Sequence, residues 1–369
     1  MGKGTDMKTL LVETSKVRAN LARIRERAGN SLIYAVLKGN AYGLGLLEMA
    51  QLLRSEGITR FALTDVEDAI RLRENGFQSE EMLMLRSTTE TEYLEALVNY
   101  NLTGTVGSQD VALAVNGVAD KHKTVIEAHI KIDTGMGRYG FAPGEIDKII
   151  SIYRNLPGIA LTGIYTHFYR AYDSEKVTRR QVALFDGVLE KLRDRGIDPG
   201  LVHAANSSAL FRFDFCNYDA VRVGSAITGR LATRYGYGLQ KVGTVTCPVA
   251  EVRWLPKGST VGYGGAYKAR QIRRIAVIPV GYIDGFCVEK ARDSYRPLET
   301  VLYMLSAMKR CILRKKLHVT INNTQARVIG HVGMLHTVVD VTDIDCAPGD
   351  IATFEINPIL AGNITRTYK

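Results

Sequence analysis

The segment AVLKGNAYGLG, residues 35–45, sets one lysine between an apolar run and a loop with three glycines and a tyrosine. Alone, Lys38 reads as a side chain that lays its stem on apolar surface and keeps its ammonium in water. Other residues at similar positions change that reading. Lys131 and Arg138 fall in KIDTGMGRYGF, His167 ends GIYTHF, Asn206 and Ser207 sit in HAANSS, and Arg222, Gly224 and Ser225 belong to VRVGS. Each lies in or just after a β-branched run. If those run ends share one face, Lys38 is ringed by Arg138, His167 and Arg222. Neighbouring positive charge in a partly dry site disfavours an ammonium, and the amine so released attacks carbonyl compounds.

The elements needed to gather these residues are legible. From residue 31 to about 224 short β-branched runs alternate with helical patterns, the signature of parallel strands with crossover helices. Eight strands are predicted, at 32–37, 60–64, 81–85, 102–106, 127–132, 160–168, 201–205 and 220–224. Helices at 46–57, 66–76 and 179–196 often stop at glycine. Eight such units predict a (β/α)8 TIM-type barrel over residues 13–240; a doubly wound sheet would need a GxGxxG fingerprint, which is absent. A barrel presents its chemistry at strand C-terminal ends and seats phosphate on the loops after strands seven and eight, here Ser207, Gly224 and Ser225. An aldehyde carrying a phosphate suits both Lys38 and those loops, and pyridoxal 5'-phosphate is the obvious one.

Beyond residue 240 the texture changes to β-branched runs broken by glycine and proline, which predicts a mostly antiparallel β domain over 241–369, with the run 7–12 as a further strand of it. Of the net charge of +10, residues 241–369 hold 18 Lys+Arg against 10 Asp+Glu, and the excess sits in KARQIRR and MKRCILRKKLH. Without interleaved aromatics this reads as solvated sheet edge, not as a nucleic-acid stripe. The five cysteines form no CxxC or zinc spacing, which points to a reducing compartment. No apolar run approaches the roughly 18 residues of a membrane span, and no signal segment opens the chain, so a cytoplasmic location is expected.

Together the quoted motifs resemble those of the alanine racemase family. AVLKGNAYGLG resembles its pyridoxal-lysine motif and HIKIDTGMGRYG its second signature; GIYTHF, HAANSS and VRVGSAITG follow in order, and VGYGGAYKA and VGYIDG resemble its catalytic-tyrosine and substrate-entrance motifs. The resemblance implies a pyridoxal-phosphate-dependent racemase that dimerises head to tail with shared active sites and supplies D-amino acid for peptidoglycan precursors. Lys38 would hold the cofactor. Tyr42, Ser207, Gly224 and Ser225 would seat its phosphate, with Asn206 beside them. Arg222 would face the pyridine nitrogen with His167 hydrogen-bonded behind it, and Arg138 would reach the phenolic oxygen and the substrate carboxylate. Lys131 matches a lysine often carbamylated in the family; a buried salt bridge to Asp133 is the alternative reading. Tyr263 of the other subunit would be the second base, with Tyr282 and Met334 near the substrate. On residue type alone, Tyr263 reads as part of an ordinary turn, Tyr282 as an interface aromatic and Met334 as core. A tyrosine base needs cations nearby, which the pair His167 and Arg222 would supply. Guanidinium does not readily release a proton, so Arg222 would leave the pyridine nitrogen unprotonated and disfavour transamination.

Three departures bear on the substrate. Phe286-Cys287 replaces the usual Pro-Arg after VGYIDG, and Met334-Leu335 replaces Met-Asp. The family tyrosine that crowds the substrate side chain has Asn357 as counterpart, or Phe354 after a register shift. Asparagine offers a donor and an acceptor to a substrate hydroxyl. That pattern resembles the serine racemases of vancomycin-resistance clusters, whose racemase part is attached to a membrane domain, and it implies action on serine as well as alanine. A strict alanine racemase is the alternative. Barrel decarboxylases, to whose lysine motif YAVLKGN is also similar, carry a Cys-Asp pair that none of the five cysteines forms. Non-catalytic pyridoxal carriers resemble the barrel alone and have no β domain.

Overall fold

The computed structural model describes residues 8–289, 297–312, 317–362 and 364–369. Met7, and residues 313–316 of the basic run MKRCILRKKLH, lie outside them. The strands are β1 (Thr9–Val12), β2 (Leu32–Val36), β3 (Arg60–Leu63), β4 (Glu81–Met84), β5 (Gly104–Val106), β6 (Ile126–Lys131), β7 (Ile159–Tyr165), β8 (Leu201–Asn206), β9 (Ala220–Val223), β10 (Thr244–Pro248), β11 (Glu251–Leu255), β12 (Thr260–Val261), β13 (Tyr267–Lys268), β14 (Arg273–Ile278), β15 (His318–Ile321), β16 (Thr324–Val328), β17 (Thr337–Asp340), β18 (Ile351–Phe354) and β19 (Thr365–Tyr368). By contacts the chain divides into Glu13–Val242 and a second unit that joins Gly243–Lys369 to the residues up to Val12.

In the first unit β2 to β9 form one parallel sheet in the order β4-β3-β2-β9-β8-β7-β6-β5. The free edges meet: Met84 N–H donates to Thr103 O at 2.8 Å and Thr103 N–H to Met82 O at 3.0 Å, so the sheet closes into a barrel. Strands covered on both faces must be apolar nearly throughout, and Phe61, Ala62, Leu63, Met82, Leu83 and Met84 are fully buried. Helices form the outer layer by burying one stripe each; Ile146–Asn155, for example, buries Ile149, Ile150 and Ile152. The eight predicted strands and the barrel class are all present.

Side chains alternate across a strand, and several inward positions are polar: Tyr34 on β2, His129 and Lys131 on β6, Tyr165 on β7, His203 on β8 and Arg222 on β9. Two register shifts interrupt the ladder beside them, between Ala128 and His129 against β7 and between His203 and Asn206 against β9. Bulges of this kind re-aim side chains at functional strands. At Gly163 any Cβ would lie 2.8 Å from the His129 ring, so only glycine lets β7 pass.

The second unit is a nine-stranded sheet in the order β11-β14-β17-β16-β15-β18-β10-β1-β19, antiparallel except for β1 beside β19. β12 and β13 form a separate hairpin. The unit also contains a helix, Pro297–Ile312, that the strand texture of this region did not predict. Val301, Leu302, Met304, Leu305 and Met308 of that helix are exposed.

Candidate active site

The mouth of the barrel holds a cavity of about 580 Å3 lined by Lys38, Tyr42, Lys131, Arg138, His167, Asn206, Ser207, Arg222, Gly224 and Ser225. All ten barrel residues singled out from sequence therefore meet at one place. Val36, Tyr139 and Tyr165 line it too.

Lys38 sits just past β2, at the start of a turn with unusual backbone. Gly39, Asn40, Ala41 and Tyr42 all have φ between 53° and 62°, a left-handed helical turn. Non-glycine residues pay roughly 1–2 kcal/mol each for that conformation, and such strain persists only where surroundings hold it. Here Ala41 N–H donates to Leu37 O at 2.8 Å, Gly43 N–H to Gly39 O at 2.9 Å, and the Asn40 side chain accepts from Leu46 N–H at 2.8 Å, starting the next helix. The turn folds Tyr42 back so that Lys38 Nζ lies 5.9 Å from its ring centroid. The Tyr42 hydroxyl reaches Gly224, where a Cβ would lie 2.3 Å from it, so residue 224 must be glycine. Burial pushes the Tyr42 phenol up to about 12, which keeps it a hydrogen-bond donor.

Ser207 Oγ accepts from Gly224 N–H at 3.1 Å and from Ala226 N–H at 3.2 Å, which gathers a hydroxyl and two backbone donors beside Tyr42. Asn206 has a different part. Its Oδ1 accepts from Ser208 and Ala209 N–H, both at 3.1 Å, and its Nδ2 donates to Phe168 O, so its side chain orders this corner.

Arg222 is buried, and its hydrogen bond behind the site goes to a histidine other than the expected one. Nη1 meets His203 Nδ1 at 2.6 Å while Nη2 donates to Thr166 O at 2.6 Å; among the described residues His167 makes no side-chain bond to it. A guanidinium only donates, so His203 Nδ1 accepts and Nε2 carries the proton. That proton goes to His129 Nδ1, 2.8 Å away. His203 is clamped between stacked Tyr34 and Tyr165 rings at 5.4 and 4.8 Å. The relay His129–His203–Arg222 was hidden in the strands EAHIKI and LVHAA, where a histidine on an inward position looks like core; two on neighbouring inward positions were the available sign.

Charge follows from burial. Desolvation, then Arg138, lowers the Lys38 amine from its ordinary value. Lys131, 2% exposed, falls to about 7, by burial first and by Arg138 and Arg222 next. The alternative of a salt bridge to Asp133 does not hold, because that carboxylate accepts from the backbone N–H groups of Gly135, Met136 and Gly137. Lys131 instead faces the Tyr139 and Tyr165 rings, each 5.4 Å away. Burial beside Arg222 depresses His167 and His203 well below an ordinary histidine and brings His129 to about 3. His167 is therefore neutral at working pH, and the positive charge comes from Arg138 and from Arg222, which burial lowers only to about 10.

The neutral histidines predict acid sensitivity. Below the unfolded pKa of about 6.5 the unfolded chain binds protons that the folded barrel refuses, so stability falls as pH drops, by up to about 1.4 kcal/mol per pH unit for each histidine. The fall continues toward pH 3 for His129. Thermal melts from pH 8 to pH 4 are expected to show a loss beginning near pH 6.5; a flat profile would contradict the neutral relay.

The β-domain residues are placed within their own unit. Tyr263, 84% exposed, stands at the tip of the β12–β13 hairpin. Gly262 lies against the segment at His331, where a Cβ would sit 3.1 Å from His331 N. Tyr282 N–H donates to Gly333 O at 3.1 Å and Ile283 N–H to Met334 O at 3.2 Å. Asp284, held by Lys8 Nζ at 2.6 Å, accepts from Gly281 N–H and pins that loop. Tyr263, Tyr282 and Met334 thus stand exposed on adjoining segments; Met334 is not core. Phe354 is wholly interior against Phe286, and Asn357 is exposed after β18.

Among the described residues no three His, Cys, Asp or Glu side chains group to hold a metal, and no helix is long and apolar enough to cross a membrane. What the barrel offers is an accessible amine of lowered basicity, a seat of hydroxyls and amides, and two arginines. A barrel enzyme using a lysine-bound cofactor is the class that fits. Residues 12–232 match the family described as alanine racemase, N-terminal domain, and residues 242–357 its C-terminal domain. An alanine racemase of Carboxydothermus hydrogenoformans is 35% identical over 280 residues, 74% of this chain and 75% of that one. A serine/alanine racemase of Enterococcus gallinarum is 34% identical over 293 residues, 76% of this chain but 41% of that one. A solved alanine racemase of Clostridium difficile 630 superposes with a TM-score of 0.84 at 26% identity, covering 100% of this chain and 97% of that one. The chain belongs to the alanine racemase family, whose enzymes depend on pyridoxal phosphate.

Proposed function

We propose that this protein interconverts L- and D-alanine, with Lys38 serving one face of the substrate α-carbon and Tyr263 of a second copy serving the other. The observation that carries this reading is the convergence of Lys38, Tyr42, Ser207, Gly224 and Arg222 on one cavity. The residues suit the cofactor: the amine at Lys38 for its aldehyde, Tyr42, Ser207, Gly224 and Ser225 for its phosphate, and Arg222 toward the ring nitrogen. When bound, pyridoxal phosphate supplies an electron sink that makes the α-proton of an amino acid acidic. Inversion then requires that a proton leave one face and another arrive on the opposite face. A single base cannot reach both, so Lys38 Nζ and the Tyr263 hydroxyl divide the work. Arg138, exposed at the cavity rim, binds the substrate carboxylate as a guanidinium fork. Steady-state racemisation of both alanine enantiomers by cofactor-loaded protein tests the reading; a bound cofactor with no α-proton exchange in heavy water would mark a carrier and end it. The product is a D-amino acid of the kind consumed in peptidoglycan precursors.

Lys131 fits carbamylation: it is buried, makes no ion pair among the described residues, and is neutral enough near pH 7 to react with CO2. The resulting anion would hold Arg138 in place. Intact mass in bicarbonate buffer is expected to rise by one CO2, and Lys131→Arg is expected to abolish the rise.

Asn357 favours a second reading, activity on serine as in the vancomycin-resistance racemases. Its Oδ1 accepts from Ile359 N–H at 3.4 Å, which leaves the amide hydrogens to meet a substrate hydroxyl. Asn357→Tyr is expected to lower the serine-to-alanine ratio of kcat/KM about tenfold, the worth of roughly one hydrogen bond to a substrate hydroxyl. Absence of serine turnover in the wild type would remove this reading and leave the strict alanine racemase.

A further inference from the structure

The second unit contains a cleft, of about 1230 Å3, that the racemisation chemistry does not use. Lys257, Lys268, Arg270, Arg273 and Arg327 line it, together with Tyr267. Its frame is rigid: Gly258 N–H donates to Ala269 O at 2.8 Å and Ala269 N–H to Ser259 O at 2.9 Å, and beneath it Leu255, Val261, Ala269, Ile275 and Ile329 form a buried apolar cluster. Lys257, Lys268, Arg270 and Arg327 are exposed. Arg273 Nη1 pairs at 3.5 Å with Oδ2 of Asp340, whose Oδ1 accepts from the Thr342 N–H and hydroxyl, and among the described residues the other four cations make no ion pair.

Five cations gathered in one concavity repel one another, and low-dielectric walls focus their field into the cleft. We propose that this cleft is a binding site for a small molecule carrying two or three linked phosphates. Three arginines present planar forks that match phosphate oxygens in pairs, and the lysines add compact point charges. The charge is too great for one phosphate, and the volume exceeds that of the catalytic cavity. Nucleic acid is disfavoured by shape, since a strand needs a tracking groove with several stacking aromatics and the cleft has Tyr267 alone.

Calorimetric titration of the cofactor-loaded enzyme with sodium tripolyphosphate tests this without reference to turnover, so failure here leaves the racemase reading untouched. The expected result is one saturable site per chain, at least about tenfold tighter than for orthophosphate, weakened at least about tenfold by Arg270→Gln with Arg327→Gln, as loss of charge-assisted hydrogen bonds requires. Arg253→Gln removes a charge from an exposed side chain outside the cleft and is expected to change affinity less than about twofold, the scale of screened long-range charge. If the double variant does not fold by circular dichroism, Lys257→Gln makes the same comparison. No saturable heat, equal affinity for orthophosphate, indifference to the cleft variants, or tighter binding of a short DNA duplex would each overturn the proposal.

Discussion

Lys38→Ala is expected to lose both the yellow chromophore of lysine-bound pyridoxal phosphate and racemisation, the latter by at least about 10^4-fold, since the variant lacks the attachment point and one of the two proposed bases. Burial and the neighbouring Arg138 already lower the basicity of this amine, so arginine at position 38 would keep the charge and restore neither property. Folding is expected to survive, because Lys38 lines the cavity mouth and makes no ion pair among the described residues. The left-handed turn begins after it and is held by backbone bonds and Asn40. Measured cofactor content, turnover and melting temperature separate the outcomes. A variant that keeps the chromophore would assign the cofactor to another amine.

Tyr263→Phe is expected to behave differently. Racemisation in both directions should fall by about 10^3-fold, within the range contributed by a positioned general base or acid, while cofactor content and the chromophore remain. The two directions must fall together because the enantiomers are equal in free energy. Proton exchange with solvent need not fall together. The enantiomer whose α-proton faces Lys38 should still exchange, whereas its mirror image, which relies on the phenol, should not. Deuterium incorporation followed separately for L- and D-alanine reads this asymmetry directly; equal loss for both would deny Tyr263 a face of its own. Phenylalanine keeps the ring, and Tyr263 is 84% exposed at a hairpin tip, so the hydroxyl is the single group removed.

The barrel was legible because strands buried on both faces are written as unbroken apolar runs, from LIYAV to AVRV, and alternate with helical spacing. The cavity residues were legible for the same reason: in a barrel, the ends of strands are one place. What stayed hidden depends on three-dimensional neighbours. Nothing in GNAY announces a left-handed turn at three non-glycine residues. The relay behind Arg222 could not be assigned to His203 over His167 without the bulge between β8 and β9, which sets which side chains face inward. Lys131 and Asp133 look paired in sequence, yet Asp133 serves the GMG backbone. Helix Pro297–Ile312 carries apolar residues at 298, 301, 302, 305, 308 and 312, a helical spacing that the strand-rich sequence on either side masks.

The central claim is that one copy contributes Lys38 and another contributes Tyr263 to each active site. Mixing Lys38→Ala and Tyr263→Phe proteins, each nearly inactive alone, under conditions that exchange subunits tests it most directly. Random pairing makes half of the dimers mixed, and each mixed dimer holds one site with both residues intact, so activity is expected to recover to about a quarter of the wild-type value. Subunits shown to have exchanged, in a mixture as inactive as its components, would contradict the claim.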